Sequence, residues 1–176
     1  MFHIYATTLI TFLFVLPTLA YAQTEHVSAI KITGAGLFEY SEVRSRVVDE
    51  TSSVRVFKVT PSRLHISQQT NRIPIKPGLA YGVQYTVEGE PQGAIVNIEV
   101  IRRSSKPCNL PDGSAAYIIV SRERIKIGNQ QLTGWVFPKP GDERTCVNED
   151  EPAINTIEIL YGGRKLAEQQ FETFRE

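Results

Sequence analysis

Cysteine and histidine are scarce in this chain. Its 176 residues include two Cys and three His, and the 19 Lys and Arg balance the 19 Asp and Glu, so the formal net charge is zero. A chain with no cationic excess is unlike a typical nucleic-acid binder, and two cysteines are too few for a disulfide-dense miniprotein. No Gly-x-Gly-x-x-Gly motif follows a strand-like run, and we predict no cofactor.

The chain also has few of the residues that nucleophilic catalysis usually requires. Beyond residue 22 the only histidines are His26 and His65, and no Gly-x-Ser-x-Gly turn is present. His65 alternates with Leu64 and Ile66, so we expect its side chain to face solvent. We therefore predict a protein that is not an enzyme and has no catalytic residues.

The first 22 residues contain no Lys, Arg, Asp or Glu. An apolar stretch from Leu9 to Leu16 is followed by Pro17, and Ala20 and Ala22 place small residues where a signal peptidase cleaves. This pattern predicts a signal peptide over 1–22 and a periplasmic or secreted mature chain with no stable membrane span. An uncleaved anchor is the alternative, although Pro17 and several Thr make 4–22 a weak span.

The two cysteines lie in polar, turn-rich segments, Cys108 in SSKPCNLPDG and Cys146 in GDERTCVNED. Their wide separation lacks the close pairs of a zinc site. An even number of cysteines in an exported chain favours a disulfide bond. We predict a structural Cys108–Cys146 bridge, which would stabilise the fold by roughly 3–4 kcal/mol. Two free thiols are the alternative.

Apolar and polar residues alternate through most of the chain beyond residue 22, a pattern that predicts half-buried β-strands. The segment 117–120 is apolar on both faces, which predicts a central strand there. Further strand candidates cover 54–59, 63–67, 116–127 and 132–137. The clearest alternating faces are formed by Ile30, Ile32, Gly34, Gly36, Phe38 and Tyr40, by Tyr81, Val83, Tyr85 and Val87, by Val96, Ile98 and Val100, and by Ile157, Ile159 and Tyr161.

Glycine- and proline-rich segments separate these runs at 88–93, 128–129 and 162–163, and we interpret them as hairpin turns. Residues 42–50 are read as a loop or a helix, and 164–172 as the last strand of a hairpin, with a helix as the alternative. The whole pattern predicts an all-β fold, an immunoglobulin-like antiparallel β-sandwich, as a single domain over 23–176.

Three segments carry a resemblance to a known family: GLFEY at 36–40, the run 73–100, and TIEILYGGRKLAEQQF at 156–171. They resemble the bacterial family catalogued as domain of unknown function 3859. Its members share a glycine-aromatic run, a Gly-x-x-Tyr strand, a Gly-x-Pro-x-Gly turn and a closing hairpin. The resemblance covers roughly residues 28–174, and the chain departs from it at 155–157, where a Trp is expected. It implies a β-sandwich and brings no catalytic residues.

Charged residues near the cysteines are candidate partner contacts. The segments 104–114 and 138–152 are read as the longest loops, and a Cys108–Cys146 bridge would place them at one end of the sandwich. We expect a contact surface there that includes Lys106, Asp112 and Arg144. The acidic run 149–151 is read as a solvated loop, because it lacks the Asp-x-Asp-x-Asp-Gly pattern of a calcium loop, and we predict no metal site.

A second candidate contact is an alternating basic row, Arg122, Arg124 and Lys126, with Glu123 on the opposite face. The row could meet an anionic partner, and it could equally protect an edge strand from aggregation, which is the interpretation we favour. Arg102, Arg103 and Lys106 form another basic cluster. The aromatic residues are expected in the core rather than in a sugar-binding platform: Tyr40, Tyr81, Tyr85, Tyr117, Trp135 and Tyr161.

Together these patterns predict an exported, non-catalytic binding module. Its expected partner is an envelope protein or a glycan, and no nucleic acid. An inhibitor of a secreted hydrolase and a glycan-binding module of the cell envelope are the alternative functions.

Overall fold

The structure is a computed structural model that describes residues 24–47, 55–61, 65–109, 115–137, 139–140 and 151–176. Of residues 41–47, 55–61, 108 and 116 it describes the backbone alone. The predicted signal peptide over 1–22 lies outside the described residues, as do Asp112, Arg144 and Cys146. The predictions that rest on them stay predictions.

Eleven strands make up the regular structure of the described residues. In chain order they are β1 (His26–Phe38), β2 (Tyr40–Val47), β3 (Arg55–Pro61), β4 (Gln68–Gln69), β5 (Arg72–Pro74), β6 (Ala80–Glu90), β7 (Ile95–Asn109), β8 (Ala115–Lys126), β9 (Gln130–Val136), β10 (Ile154–Tyr161) and β11 (Arg164–Phe174).

The strands form two principal sheets. One has the order β4-β1-β6-β9 and the other β5-β11-β10-β7-β8, while β2 and β3 pair as a separate two-stranded sheet. Neighbouring strands run antiparallel except for β5 and β11, which are parallel. Buried side chains from both principal sheets form one apolar core, so the predicted all-β sandwich is confirmed.

The core is built around β6, whose predicted apolar face is confirmed. Tyr81, Val83, Tyr85 and Val87 are all buried and meet residues of β7, β10 and β11 across the interior. Rings surround Tyr81: its centroid lies 5.4 Å from that of Trp135 and 5.3 Å from that of Phe171. Aromatic pairs at such separations add to the free energy gained by burial.

The alternation of β1 changes face in the middle of the strand. Ile30 and Ile32 contact the core as predicted, but the pairing with β6 shifts between Ile32 and Gly34 and leaves one extra residue in β1. Such a bulge reverses the faces of the residues that follow it. Ala35 and Leu37 therefore pack against the core cluster, whereas Phe38 is buried but does not belong to that cluster. The prediction that Gly34, Gly36 and Phe38 continue the Ile30 face is wrong.

Two of the three predicted hairpin turns connect different sheets. The segment 88–93 leads from β6 to β7, and 128–129 leads from β8 to β9; in both cases the two strands belong to different sheets. A glycine turn reverses the chain but does not dictate which strand the chain then pairs with. The third prediction is confirmed, because the turn at 162–163 joins β10 to its neighbour β11.

Several strand boundaries also differ from the predictions. Residues 42–47 belong to β2, so the loop or helix predicted there is wrong. Residues 65–67 lie outside any strand, and 104–109 form the end of β7 rather than a loop. The strand predicted over 164–172 is confirmed as β11.

A short segment crosses one side of the sandwich. Its first part, β4, pairs with β1, and its second part, β5, pairs with β11 in the other sheet. Backbone hydrogen bonds continue on both sides: Thr70 N–H donates to the Ala35 carbonyl, and Ile75 N–H donates to the Phe174 carbonyl. The segment thus covers one edge of each sheet.

The close approach of this segment to β1 requires glycine at position 36. A Cβ atom there would lie 1.9 Å from the Gln68 carbonyl oxygen, and the φ angle of Gly36 is +148°. We expect Gly36→Ala to lower the free energy of unfolding by about 3 kcal/mol, because a steric clash adds to backbone strain. Chemical denaturation of the two proteins measures the difference.

Gly93→Ala is the matched control for this prediction. Gly93 has a φ of +80°, but a Cβ atom there meets nothing within 4 Å. Its substitution therefore reports backbone strain alone, which costs about 1 kcal/mol. Equal losses in the two variants would show that β4 does not press on Gly36.

Candidate functional site

The strand β8 lies at the edge of the five-stranded sheet. It pairs with β7 on one side, and no other strand of the described ranges pairs with its second side. The central strand predicted over 117–120 is therefore wrong. Tyr117, Ile118 and Val120 are 56%, 44% and 45% exposed. Apolar residues on both faces of a strand do not determine how many strands pair with it, because its side chains project above and below the sheet and neighbouring strands pair within the sheet.

The outer face of β8 has an apolar half and a basic half. Ile118 and Val120 lie opposite Arg103 and Ile101 of β7, and the exposed side chains of Arg122, Arg124 and Lys126 follow them. Arg122 Nε lies 3.0 Å from Glu99 Oε1, with 78% of its side chain exposed, so solvent screens this pair. The prediction that the basic row lies on an edge strand is confirmed, with Glu123 on the opposite face.

The other predicted contact residues lie elsewhere. Lys106 is in β7, and its Nζ is 3.0 Å from Glu151 Oε2. It lies near the start of β8, where Cys108 is the pairing partner of Ala116, and Arg124 lies near the far end of β8. The structure therefore brings Arg122 and Arg124 together and leaves Lys106 apart from them. The Cys108–Cys146 bond and the contacts of Asp112 and Arg144 stay predictions.

Beneath the edge lies a buried residue that our sequence analysis placed in a basic cluster. Arg102 continues the inward face of Val96, Ile98 and Val100 and is 9% exposed. The alternation of β7 indicated that Arg102 is buried, because position 102 lies two residues after Val100 and therefore on the same face of the strand. Burial lowers the pKa of Arg102 from its usual value, and the charge of Glu123 opposes that shift.

Arg102 connects the two strands at this side of the sandwich. Its Nη1 donates a hydrogen bond to Ser121 Oγ of β8 at 3.2 Å, and its Nη2 donates one to Thr133 Oγ1 of β9 at 2.6 Å. We call Arg102, Ser121 and Thr133 the polar clasp. Because β8 and β9 belong to different sheets, the clasp holds the two sheets together behind the exposed edge.

The side chains of Tyr85 and Glu123 adjoin the clasp. Tyr85 of β6 donates a hydrogen bond to Glu123 Oε2 at 3.5 Å, and burial, followed by the charge of Glu123, raises the pKa of the Tyr85 hydroxyl. Arg102 Nε is buried and has no hydrogen-bond partner. The charge of the half-buried Glu123 thus offsets part of the cost of burying the Arg102 guanidinium. This arrangement positions β8 from its inner face.

The remaining candidates are dispersed. His26 and His65 are both exposed, as expected for His65. Within the described part of the chain, no three His, Cys, Asp or Glu residues gather in a group that could hold a metal ion. Tyr81 and Tyr85 are in the core and Trp135 and Tyr161 pack against it, as predicted. The prediction is wrong for Tyr117, which is exposed, and for Tyr40, which is half-buried and does not belong to the core cluster. No helix of the described residues has the length and apolar character needed to cross a membrane.

The architecture of this chain has a counterpart among solved structures. An immunoglobulin-like protein (PA1606) from Pseudomonas aeruginosa is similar to it with a TM-score of 0.55 and 18% sequence identity, over 84% of this chain and 98% of that one. The fold is immunoglobulin-like, as predicted. No family model matches the chain, and no curated protein does either, so the resemblance to domain of unknown function 3859 stays a prediction.

The polar clasp generates a prediction about stability. We expect Arg102→Met to lower the free energy of unfolding by about 1–3 kcal/mol, because the buried hydroxyls of Ser121 and Thr133 lose the guanidinium that donates hydrogen bonds to them. The triple variant Arg102→Met, Ser121→Ala, Thr133→Val should regain most of that loss, since an apolar replacement of the whole set leaves no unpaired group. Urea denaturation of both variants measures this, and a triple variant no more stable than the single one would contradict it.

The raised pKa of Tyr85 predicts an alkaline loss of stability. A raised pKa favours the neutral phenol in the folded state, so the contribution is complete below the ordinary value of about 10. Above that pH the unfolded chain releases the proton first, and the free energy of unfolding falls by about 1.4 kcal/mol per pH unit. Tyr85→Phe should reduce the slope by that amount in denaturation series above pH 10. Tyr117→Phe, which removes the hydroxyl of an exposed tyrosine, is the matched control variant.

Proposed function

We propose that this protein is an exported, non-catalytic binding module that recognises a protein of the cell envelope through the β8 edge. The observation that carries this proposal is the edge itself. It is a strand of 12 residues whose apolar side chains Tyr117, Ile118 and Val120 are exposed beside a basic row. Long edges with exposed apolar side chains are templates for pairing with another chain.

The proposed location rests on the sequence. The apolar, uncharged residues 1–22 end in a signal-peptidase pattern, and the cysteine number is even. In the proposal, residues 1–22 are removed, Cys108 and Cys146 form a disulfide bond, and the mature chain acts in the periplasm or outside the cell.

The exposed side chains of β8 are suited to binding rather than to catalysis. The chemical groups of β8 that reach solvent are aliphatic, phenolic and cationic side chains. Such groups suit a complementary protein surface. The clasp and the core contacts of β8 fix its position on the sandwich, so a partner would meet a surface already in place and less conformational freedom would be lost on binding.

A crosslinking experiment tests this function. The full chain with a C-terminal affinity tag is produced in its host, crosslinked in cells and recovered from envelope extracts, and its partners are identified by mass spectrometry. We expect one abundant envelope protein, with the tagged chain in the periplasmic or secreted fraction and cleaved after Ala22. The matched control is the same chain expressed without crosslinker.

Three results would contradict the proposal. Retention of the tagged chain in the cytoplasm would exclude export. Clean recovery without a protein partner, together with retention on peptidoglycan or polysaccharide, would point to the glycan-binding alternative. Inhibition of lysozyme or of a protease by the purified chain would point to the inhibitor alternative.

A further inference from the structure

The edges of the two principal sheets differ greatly in length. β4 has two residues and β5 has three, and these short edges lie on the side that the crossing segment covers. On the opposite side β9 has seven residues and β8 has 12. Proteins protect themselves from unwanted pairing by keeping edge strands short. The edge formed by β8 departs from that rule.

Side chains on the outer face of β8 divide it into two halves. Ile118 and Val120 are apolar, and Arg122, Arg124 and Lys126 are basic, with all five exposed. In the antiparallel pairing of β7 with β8, their neighbours in β7 include Ile101 opposite Val120 and Glu99 opposite Arg122. An added strand on the free side would meet the same outward-facing side chains.

This distribution disfavours a second copy of the chain as the occupant. An antiparallel pair of β8 strands that overlap along their full length around a two-fold axis places the apolar half of each copy opposite the basic half of the other. A parallel pair places the basic half against the basic half. Opposed like charges destabilise the parallel pair, and the antiparallel pair leaves the basic half of each copy without an acidic partner. A strand with acidic residues opposite the basic half fits both halves.

We propose that β8 binds an extended, acidic segment of a partner protein as an added β-strand. The segment carries apolar residues opposite Ile118 and Val120 and acidic residues opposite Arg122, Arg124 and Lys126. This inference rests on the proposed function and specifies its partner. Main-chain hydrogen bonds to the side of β8 with which no described strand pairs hold the segment, and the two halves set its register.

Synthetic peptides of about ten residues provide the probe. In the acidic peptide, Thr alternates with three Glu and then two Val, so that Glu and Val share one face; a second peptide has the reverse order, for parallel addition. A third peptide has Lys in place of Glu. Binding is measured by titration into the mature chain, with the backbone amide signals of β8 followed by NMR.

The expected result is a shift of β8 amide signals with one order of the acidic peptide and at least about tenfold weaker binding of the Lys peptide. Arg124→Glu with Lys126→Glu should weaken the acidic peptide by about tenfold. The matched control carries the same charge change at two exposed sites away from β8, Lys31→Glu with Arg164→Glu, and should bind as the unchanged chain does.

Backbone methylation separates strand addition from simple charge attraction. Because successive N–H groups of a strand point to opposite sides, only one alternate set in the peptide faces β8. N-methylation of one set should abolish binding, and methylation of the other set should not. Equal binding of both methylated peptides would overturn strand addition.

Three further results of the peptide titration would contradict the inference. The inference is overturned if millimolar acidic peptide leaves the β8 signals unchanged, if the Lys peptide binds equally well, or if concentration alone shifts them, which would indicate a second copy. The proposed function is judged separately. If the crosslinked partner is recovered equally by the chain with Arg124→Glu and Lys126→Glu, the chain remains a binder of an envelope protein, whereas this inference and the assignment of the contact to the basic half of β8 both fail.

Discussion

Packing of the buried face of β6 against the opposite sheet holds the structure together. Tyr81, Val83 and Tyr85 project into the interior, where they meet apolar residues of β7, β10 and β11. Neither sheet could leave such a face in water, so the two form as a unit. At the rim of the core, near β8 and β9, the contacts between the sheets are of another kind. There the inward face of β7 changes from Val100 to Arg102, and hydrogen bonds replace apolar contacts in joining the sheets.

Much of the fold could be predicted because a strand with one buried face has a simple period. The alternation from Tyr81 to Val87 and from Val96 to Val100 correctly indicated both the strands and the buried side. The same rule failed after Ile32, because one extra residue in β1 reverses the faces of the residues that follow. The amino-acid types around Thr33 do not indicate that a bulge occurs there. The pairing of strands was harder still, because the turn at 88–93 looks the same whether the chain stays in its sheet or changes to the other.

The candidate site was predictable in part. The basic row on β8 and its outward direction followed from alternation, but the exposure of Tyr117 and Val120 did not, because apolar composition is shared by central strands and by binding edges. Arg102 shows the opposite case. Its parity indicated the interior, yet its charge favoured the surface, and only the positions of Ser121 and Thr133 in three dimensions explain how a guanidinium is accommodated there.

The crossing segment formed by β4 and β5 makes the two sides of the sandwich unequal. Sheets that stack edge to edge without limit need two open edges in every unit, one to receive a neighbour and one to offer to the next. Here the described residues cover one side of both sheets with a single stretch of chain. A copy of this chain paired through β8 would therefore present only the short strands β4 and β5 on its far side, so pairing through β8 does not repeat from copy to copy. The architecture favours complexes of fixed stoichiometry over filaments.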